Sequence, residues 1–124
     1  MGEPIVFIIR HKIKEGRGEE FRRHYRDSVP RTLESKPRTS AQLAYENSER
    51  IQVTIVRLFS DADSLDQQLQ GADERSKITY EFIEPLSIEI FGRPNPSTVE
   101  HMKKTAAAGV DVKIHPAYLG GFIR

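Results

Sequence analysis

Seven side chains carry the chemistry this sequence could do: His11, Arg57, Tyr25, Tyr45, Tyr80, Arg10 and Gln68. His11 shares strand parity with Phe7 and Ile9, so its ring points at the core or at a ligand space. Either it is a hydrogen-bonded structural histidine, or it is a base that changes charge near neutral pH. Arg10, Arg57 and Glu89 are charges inside predicted strands. Buried charges must be paired, so an Arg–Glu pair across the sheet that fixes its register is one reading. The other is that an arginine stabilises a developing enolate or phenolate, as oxyanion stabilisers do. Tyr25, Tyr45 and Tyr80 supply hydroxyls suited to orienting a phenolic or quinone ligand, although aromatic residues at helical spacing also serve as core. His11, His24, His101 and His115 have no metal-ligand spacing, and there is no cysteine, so no metal site is expected. No Ser–His–Asp order, phosphate loop or paired-carboxylate motif stands out.

These groups need elements to hold them. Ile5–Ile9 is a continuous, β-branched apolar run, as in a central strand, and alternation continues to Ile13. After Gly16 and Gly18, Phe21, Tyr25, Val29 and Leu33 recur every four residues, an amphipathic helix that Pro30 should end near Ser28, leaving 31–35 as a separate turn. Ala41–Tyr45 and Ile51–Phe59 form two strands joined by the Asn47-Ser48-Glu49 turn, an antiparallel hairpin. A second helix opens at Asp61, with Leu65, Leu69, Ala72 and Ser76 inward and Gly71 weakening it. A fourth strand, Leu86–Phe91, follows Pro85; Leu86, Ile88 and Ile90 share one face, and Ser87, Glu89 and Phe91 the other.

The order β-α-β-β-α-β is the ferredoxin-like plan of the α+β class: a four-stranded antiparallel sheet with two helices on one face. The other face is uncovered and partly apolar, which predicts a homodimer. Beyond Gly92, Ser97-Thr98-Val99-Glu100 reads as a capping box. Val99, Met102 and Ala106 would face inward, and Gly109 would end that helix. Val110–Ile114 would be a fifth strand. The apolar tail Tyr118–Arg124 should dock on this subunit or its partner. The expected division is therefore a ferredoxin-like unit over 1–92 and a C-terminal α-β extension over 93–124.

Composition narrows the function. A chain of 124 residues is one domain's worth, and it has no cysteine for disulfides or thiolate chemistry. The longest apolar run is far short of the roughly 20 residues a membrane span needs, and no signal peptide is evident, so a cytoplasmic protein is the default. A net charge of +1 does not mark a nucleic-acid binder, and the stretch Arg50–Val56 of the third strand has none of the aromatics an RNA-recognition domain would use there. Charge is uneven, however. Arg10–Arg38 holds ten basic and five acidic residues, whereas Ser60–Glu89 holds eight acidic and two basic. Such stretches are either solvated faces or complementary neighbours, and the basic one could attract an anion.

The junction Ile13-Lys14-Glu15-Gly16-Arg17-Gly18-Glu19-Glu20-Phe21, closing a first strand and opening a first helix, resembles the antibiotic biosynthesis monooxygenase-like branch of the dimeric α/β-barrel superfamily. The resemblance covers about residues 5–91. It implies two protomers packed sheet to sheet, helices outside, with a small-molecule pocket between helices and sheet. Some members oxidise aromatic polyketides or quinols with dioxygen and no metal or flavin; others bind and degrade haem. Where members often carry a histidine on the second helix, Gln68 stands here, and there is no tryptophan, so the haem-degrading constellation cannot be assembled. Two functions follow as expectations: a cofactor-free monooxygenase acting on an aromatic or quinol substrate, or a non-catalytic ligand-binding or regulatory module. Catalytic candidates are Arg57, Tyr25 and His11; ligand-binding candidates are Tyr25, Tyr45, Arg10, Gln68 and Tyr80.

Overall fold

The structure, a computed structural model, describes residues 2–124, with the side chains at 73–75 left aside. Asp73, Glu74 and Arg75 of the acidic stretch therefore lie outside the described side chains. The elements are β1 (Ile5–Ile13), α1 (Gly18–Ser35), β2 (Thr39–Glu46), β3 (Gln52–Phe59), α2 (Ala62–Leu69), α3 (Ala72–Thr79), β4 (Ile83–Phe91), α4 (Pro96–Ala107) and β5 (Asp111–His115). One open five-stranded sheet has the order β2-β3-β1-β4-β5, antiparallel except for the parallel β4–β5 pair. The ferredoxin-like plan is thus present, with β5 added beside β4 through α4.

Alternation along β1 does most of the folding. Ile5, Phe7, Ile9, His11 and Ile13 are all buried toward the helices, while the intervening residues face the open side. Val53, Ile55 and Phe59 of β3 and Ile88 and Ile90 of β4 pair beside them on the same face. Phe21 of α1, Leu65 of α2 and Met102 of α4 complete one apolar cluster. Burying each such side chain contributes about 1.5–3 kcal/mol.

Four expectations need correction. Helix α1 runs unbroken through Pro30. The proline removes one bond to the Arg26 carbonyl, but this turn is exposed and water can take the place of the lost donor. The second helix is two: Gly71, at φ 72°, turns the chain between α2 and α3, so the inner stripe stops at Leu69, and no described α3 residue is buried. Leu86 does not share a face with Ile88 and Ile90. Arg10 pairs with Ser87 and His11 with Pro85, so Leu86 is the extra residue of a β-bulge and is exposed. Helix α4 starts at Pro96 with Asn95 as N-cap, not at a Ser97 capping box. Its inward residues are Thr98 and Met102, and Ala106 is exposed. The tail from Pro116 onward is exposed on this domain, Leu119 and Phe122 included, which leaves the partner subunit as the surface it was expected to dock on.

Asp66 explains why α4 sits where it does. Asn95 Nδ2 donates to Asp66 Oδ2 at 2.7 Å and to Asp63 Oδ1 at 2.7 Å, Ser97 Oγ donates at 3.3 Å, and buried Thr98 donates to Asp66 Oδ1. A carboxylate from α2 thus sits among the first residues of α4, where negative charge is favoured.

Candidate functional site

Between the helices and the sheet, polar side chains interrupt the apolar layer. Tyr25 lies one turn after Phe21 on the buried stripe of α1, its ring 6.2 Å from that of Phe21. Opposite it, β2 carries a bulge: Thr39 pairs with Phe59 but Ala41 pairs with Leu58, so Ser40 is extra. Gln42 then pairs with Arg57 and shares its face, the face of Val53, Ile55 and Phe59. The three side chains form a chain of hydrogen bonds. Arg57 Nε donates to Gln42 Oε1 at 2.8 Å, and Gln42 Nε2 donates to Tyr25 Oη at 3.3 Å. Three elements therefore fix one guanidinium, one amide and one phenol on the helix side of the sheet.

His11 lies on the same face, one strand over and four residues along from the Arg57 pairing, opposite Val53 and Pro85. It is only 5 % exposed, and its Nδ1 has no hydrogen-bond partner among the described residues. Desolvation, with the charge of Arg57 behind it, lowers its pKa from 6.5 to about 4, so the ring is neutral at pH 7. Pro85 opposite has no backbone N–H to offer it. Tyr80 flanks His11 at 6.4 Å between ring centroids. The segment carrying Tyr80 is tied down from the loop after β1: Lys14 Nζ donates to the Tyr80 carbonyl at 2.6 Å, and the Arg17 guanidinium lies 4.8 Å over Phe82.

Gln68 is buried on α2 and engaged, its Oε1 accepting from Thr39 Oγ1 at 2.6 Å. The structure thus gathers Tyr25, Arg57 and His11 on one face, with Gln68 and Tyr80 toward its margins. It does not bring Tyr45 or Arg10 there. Tyr45 pairs with Thr54 and is exposed on the open face. Arg10 also lies on that face, where Nη1 donates to Glu89 Oε1 at 2.8 Å. That is the cross-sheet Arg–Glu pair expected of these strands. His115 Nε2 lies 3.1 Å from the other Glu89 oxygen and its ring stacks on Phe91 at 4.6 Å. The Arg10 bond, then the His115 bond, holds the Glu89 carboxyl below the usual range. His24 is not the exposed residue its position suggested: it is half-buried, with Nε2 3.1 Å from Thr79 Oγ1.

Gln42 and Thr39 are the residues that sequence reasoning missed. Gln42 sits two positions before Ala44, an inward residue, but the inward parity of β2 is set by its bulge at Ser40. No group of three or more metal-ligating side chains occurs among the described residues. No described helix is long and apolar enough to cross a membrane.

No protein-family model matches the chain, and neither does any curated protein. Solved structures do. MupZ from Pseudomonas fluorescens superposes with a TM-score of 0.75 at 17 % identity, over 100 % of this chain and 91 % of that one. SnoaB, a cofactor-independent oxygenase from Streptomyces nogalater, superposes with 0.62 at 11 % identity, over 76 % of this chain and 96 % of its own. A protein from Bordetella bronchiseptica assigned to the antibiotic biosynthesis monooxygenases gives 0.60 at 18 %, over 75 % and 99 %. The likeness to MupZ takes in α4 and β5 as well as the ferredoxin-like unit.

Proposed function

The fold is that of the antibiotic biosynthesis monooxygenase-like proteins, and from this premise we propose that the chain works as a cytoplasmic homodimer that binds a small apolar or aromatic molecule between its helices and sheet. Within that reading it is a cofactor-free monooxygenase acting on an aromatic or quinol substrate. The observation that carries it is the Tyr25–Gln42–Arg57 hydrogen-bond chain, set in an otherwise apolar layer beside a neutral His11.

Loss of an acidic C–H or O–H proton from such a substrate leaves an oxyanion. Arg57 offsets its charge and the Tyr25 hydroxyl donates to it, in a setting of low dielectric where both interactions are strong. His11 offers an acceptor nitrogen to a ligand hydroxyl. For an anthrone, the CH2 group and one dioxygen become a carbonyl and one water; a quinol with a free ring C–H and one dioxygen become a hydroxyquinone and one water. The open sheet face supports the dimer: Val6, Ile8, Val56, Leu58 and Phe91 lie on it, half-buried, beside exposed Leu43. Apolar surface of this kind, rimmed by polar groups, fits a second copy.

Oxygen uptake with a panel of quinols and anthrones tests the catalytic reading. Uptake should fall about a hundredfold or more in Arg57→Ala, the size expected for one oxyanion stabiliser, and fall also in Tyr25→Phe. No uptake with any compound refutes it. One observation favours the second reading, a non-catalytic binding module: Gln68, at the position where relatives often have histidine, is committed to Thr39. That reading expects stabilisation by a ligand without turnover. Native mass spectrometry tests the dimer, which should appear at twice the 14.2 kDa chain mass.

A further inference from the structure

A second polar site lies on the outer side of α1. Arg22, Arg23 and Arg26 line an open cleft of about 400 Å³ together with Glu19, Asp27 and Arg50, the last brought in by the β2–β3 turn. Like charges at i,i+3 and i,i+4 on a helix repel one another, so this grouping works against α1. Glu46 relieves part of it: Arg22 grips it with two bonds of 2.8 and 2.9 Å, and Arg50 Nη2 lies 3.4 Å away. Arg23 and Arg26 have no ion-pair partner among the described residues.

Arg50 is also the one described non-glycine residue with positive φ, at 59°. The turn is tightly specified, since Asn47 Oδ1 accepts from the backbone N–H groups of Ile51 and Gln52 at 3.0 and 3.2 Å. It therefore demands a left-handed residue where asparagine or glycine would be easier. A long cation kept in a strained position, facing three more cations, is a pattern that fits function better than stability.

We propose that this arginine cleft binds the phosphate group of a small molecule, independently of the helix–sheet site. Glu19, Asp27 and the Glu46 that Arg22 and Arg50 share leave one net positive charge on the four guanidiniums, and the two without an ion-pair partner among the described residues, Arg23 and Arg26, are the ones presented to a phosphate. The planar fork of arginine suits two phosphate oxygens at once.

The test is calorimetric titration with inorganic phosphate and with phenyl phosphate, at constant ionic strength set by sodium chloride. Both should bind with Kd on the order of 1 mM or tighter, and the double variant Arg23→Gln/Arg26→Gln should weaken binding at least about tenfold. Tighter binding of phenyl phosphate points to an ester as the ligand, and equal binding to free phosphate. Arg50→Asn should bind phosphate at least about fivefold more weakly while melting no lower than the natural chain, because asparagine tolerates this backbone. Absence of binding at about 10 mM, or equal binding by the double variant, overturns the proposal. So does an Arg50→Asn protein that melts lower and still binds normally. None of these variants touches Tyr25, Arg57 or His11, so failure here leaves the oxygen-uptake experiment unaffected.

Discussion

Replacing His11 by leucine should make the protein less sensitive to acid, and the size of the effect follows from burial. In the unfolded chain the imidazole titrates near 6.5; in the folded chain burial and Arg57 hold it at about 4. Because the folded pKa is the lower one, the unfolded state binds more protons between these values, and stability falls as pH drops through the window. At pH 7 the linkage is only about 0.2 kcal/mol; at pH 5 it reaches about 2 kcal/mol, approaching roughly 3 kcal/mol below pH 4. Urea unfolding at pH 7 and pH 5 measures it. The natural chain should lose roughly 2 kcal/mol more than His11→Leu between the two. His24, His101, His115 and all carboxylates are common to both proteins, so their contributions cancel in the difference. At pH 7 the variant should be about as stable as the natural chain or more so, since it removes a buried nitrogen that lacks a partner. A difference under about 0.5 kcal/mol between the two acid sensitivities would show that His11 is solvated or paired, and the account of a neutral base in the helix–sheet layer would go with it.

Three further substitutions probe the frame. Gly92→Ala should destabilise by about 2 kcal/mol or more in thermal unfolding, because the new Cβ would stand 2.9 Å from Ile5 Cγ1 and 3.0 Å from the Pro4 carbonyl at φ +116°. Pro30→Ala should stabilise by about 1–2 kcal/mol: the helix regains a bond worth about 3 kcal/mol with its geometry, less about 1 kcal/mol of added freedom in the unfolded chain. Asp66→Ala should lower stability by about 2 kcal/mol and speed hydrogen exchange across 96–107 first, since Thr98 is left buried without its acceptor.

The fold was legible because its strongest signals are local. The unbroken run Ile5–Ile9 marks the centre of the sheet, and the alternation from Ile51 to Phe59 marks its neighbour. The same period put His11 inward, and the structure shows Arg57 following Val53 and Ile55 onto that face. What stayed hidden depends on a single extra residue. Ser40 sets which face of β2 Gln42 and Tyr45 occupy, and Leu86 bends β4 opposite His11; neither bulge leaves a composition signal. Proline and glycine misled in opposite directions. Pro30 lies in an exposed turn that tolerates a missing bond, whereas Gly71 takes a left-handed turn that ends a helix instead of merely weakening it. The four-residue stripe that begins at Phe21 placed Tyr25 on the inner side of α1, but the amide that links it to Arg57 comes from strand register alone.

The central place of β1 has a consequence for how the protein is made. It is synthesised before either of its neighbours, and its last partner, β4, is complete only at Phe91. At roughly 5–20 residues per second, a ribosome needs on the order of 4–16 s to travel from Ile13 to there. Throughout that interval Ile5–Ile9, apolar, β-branched and without a charge or proline, has at least one unpaired edge. A segment of that composition with an open edge pairs readily with copies of itself. Self-pairing of this strand therefore competes with native pairing until the chain reaches β4.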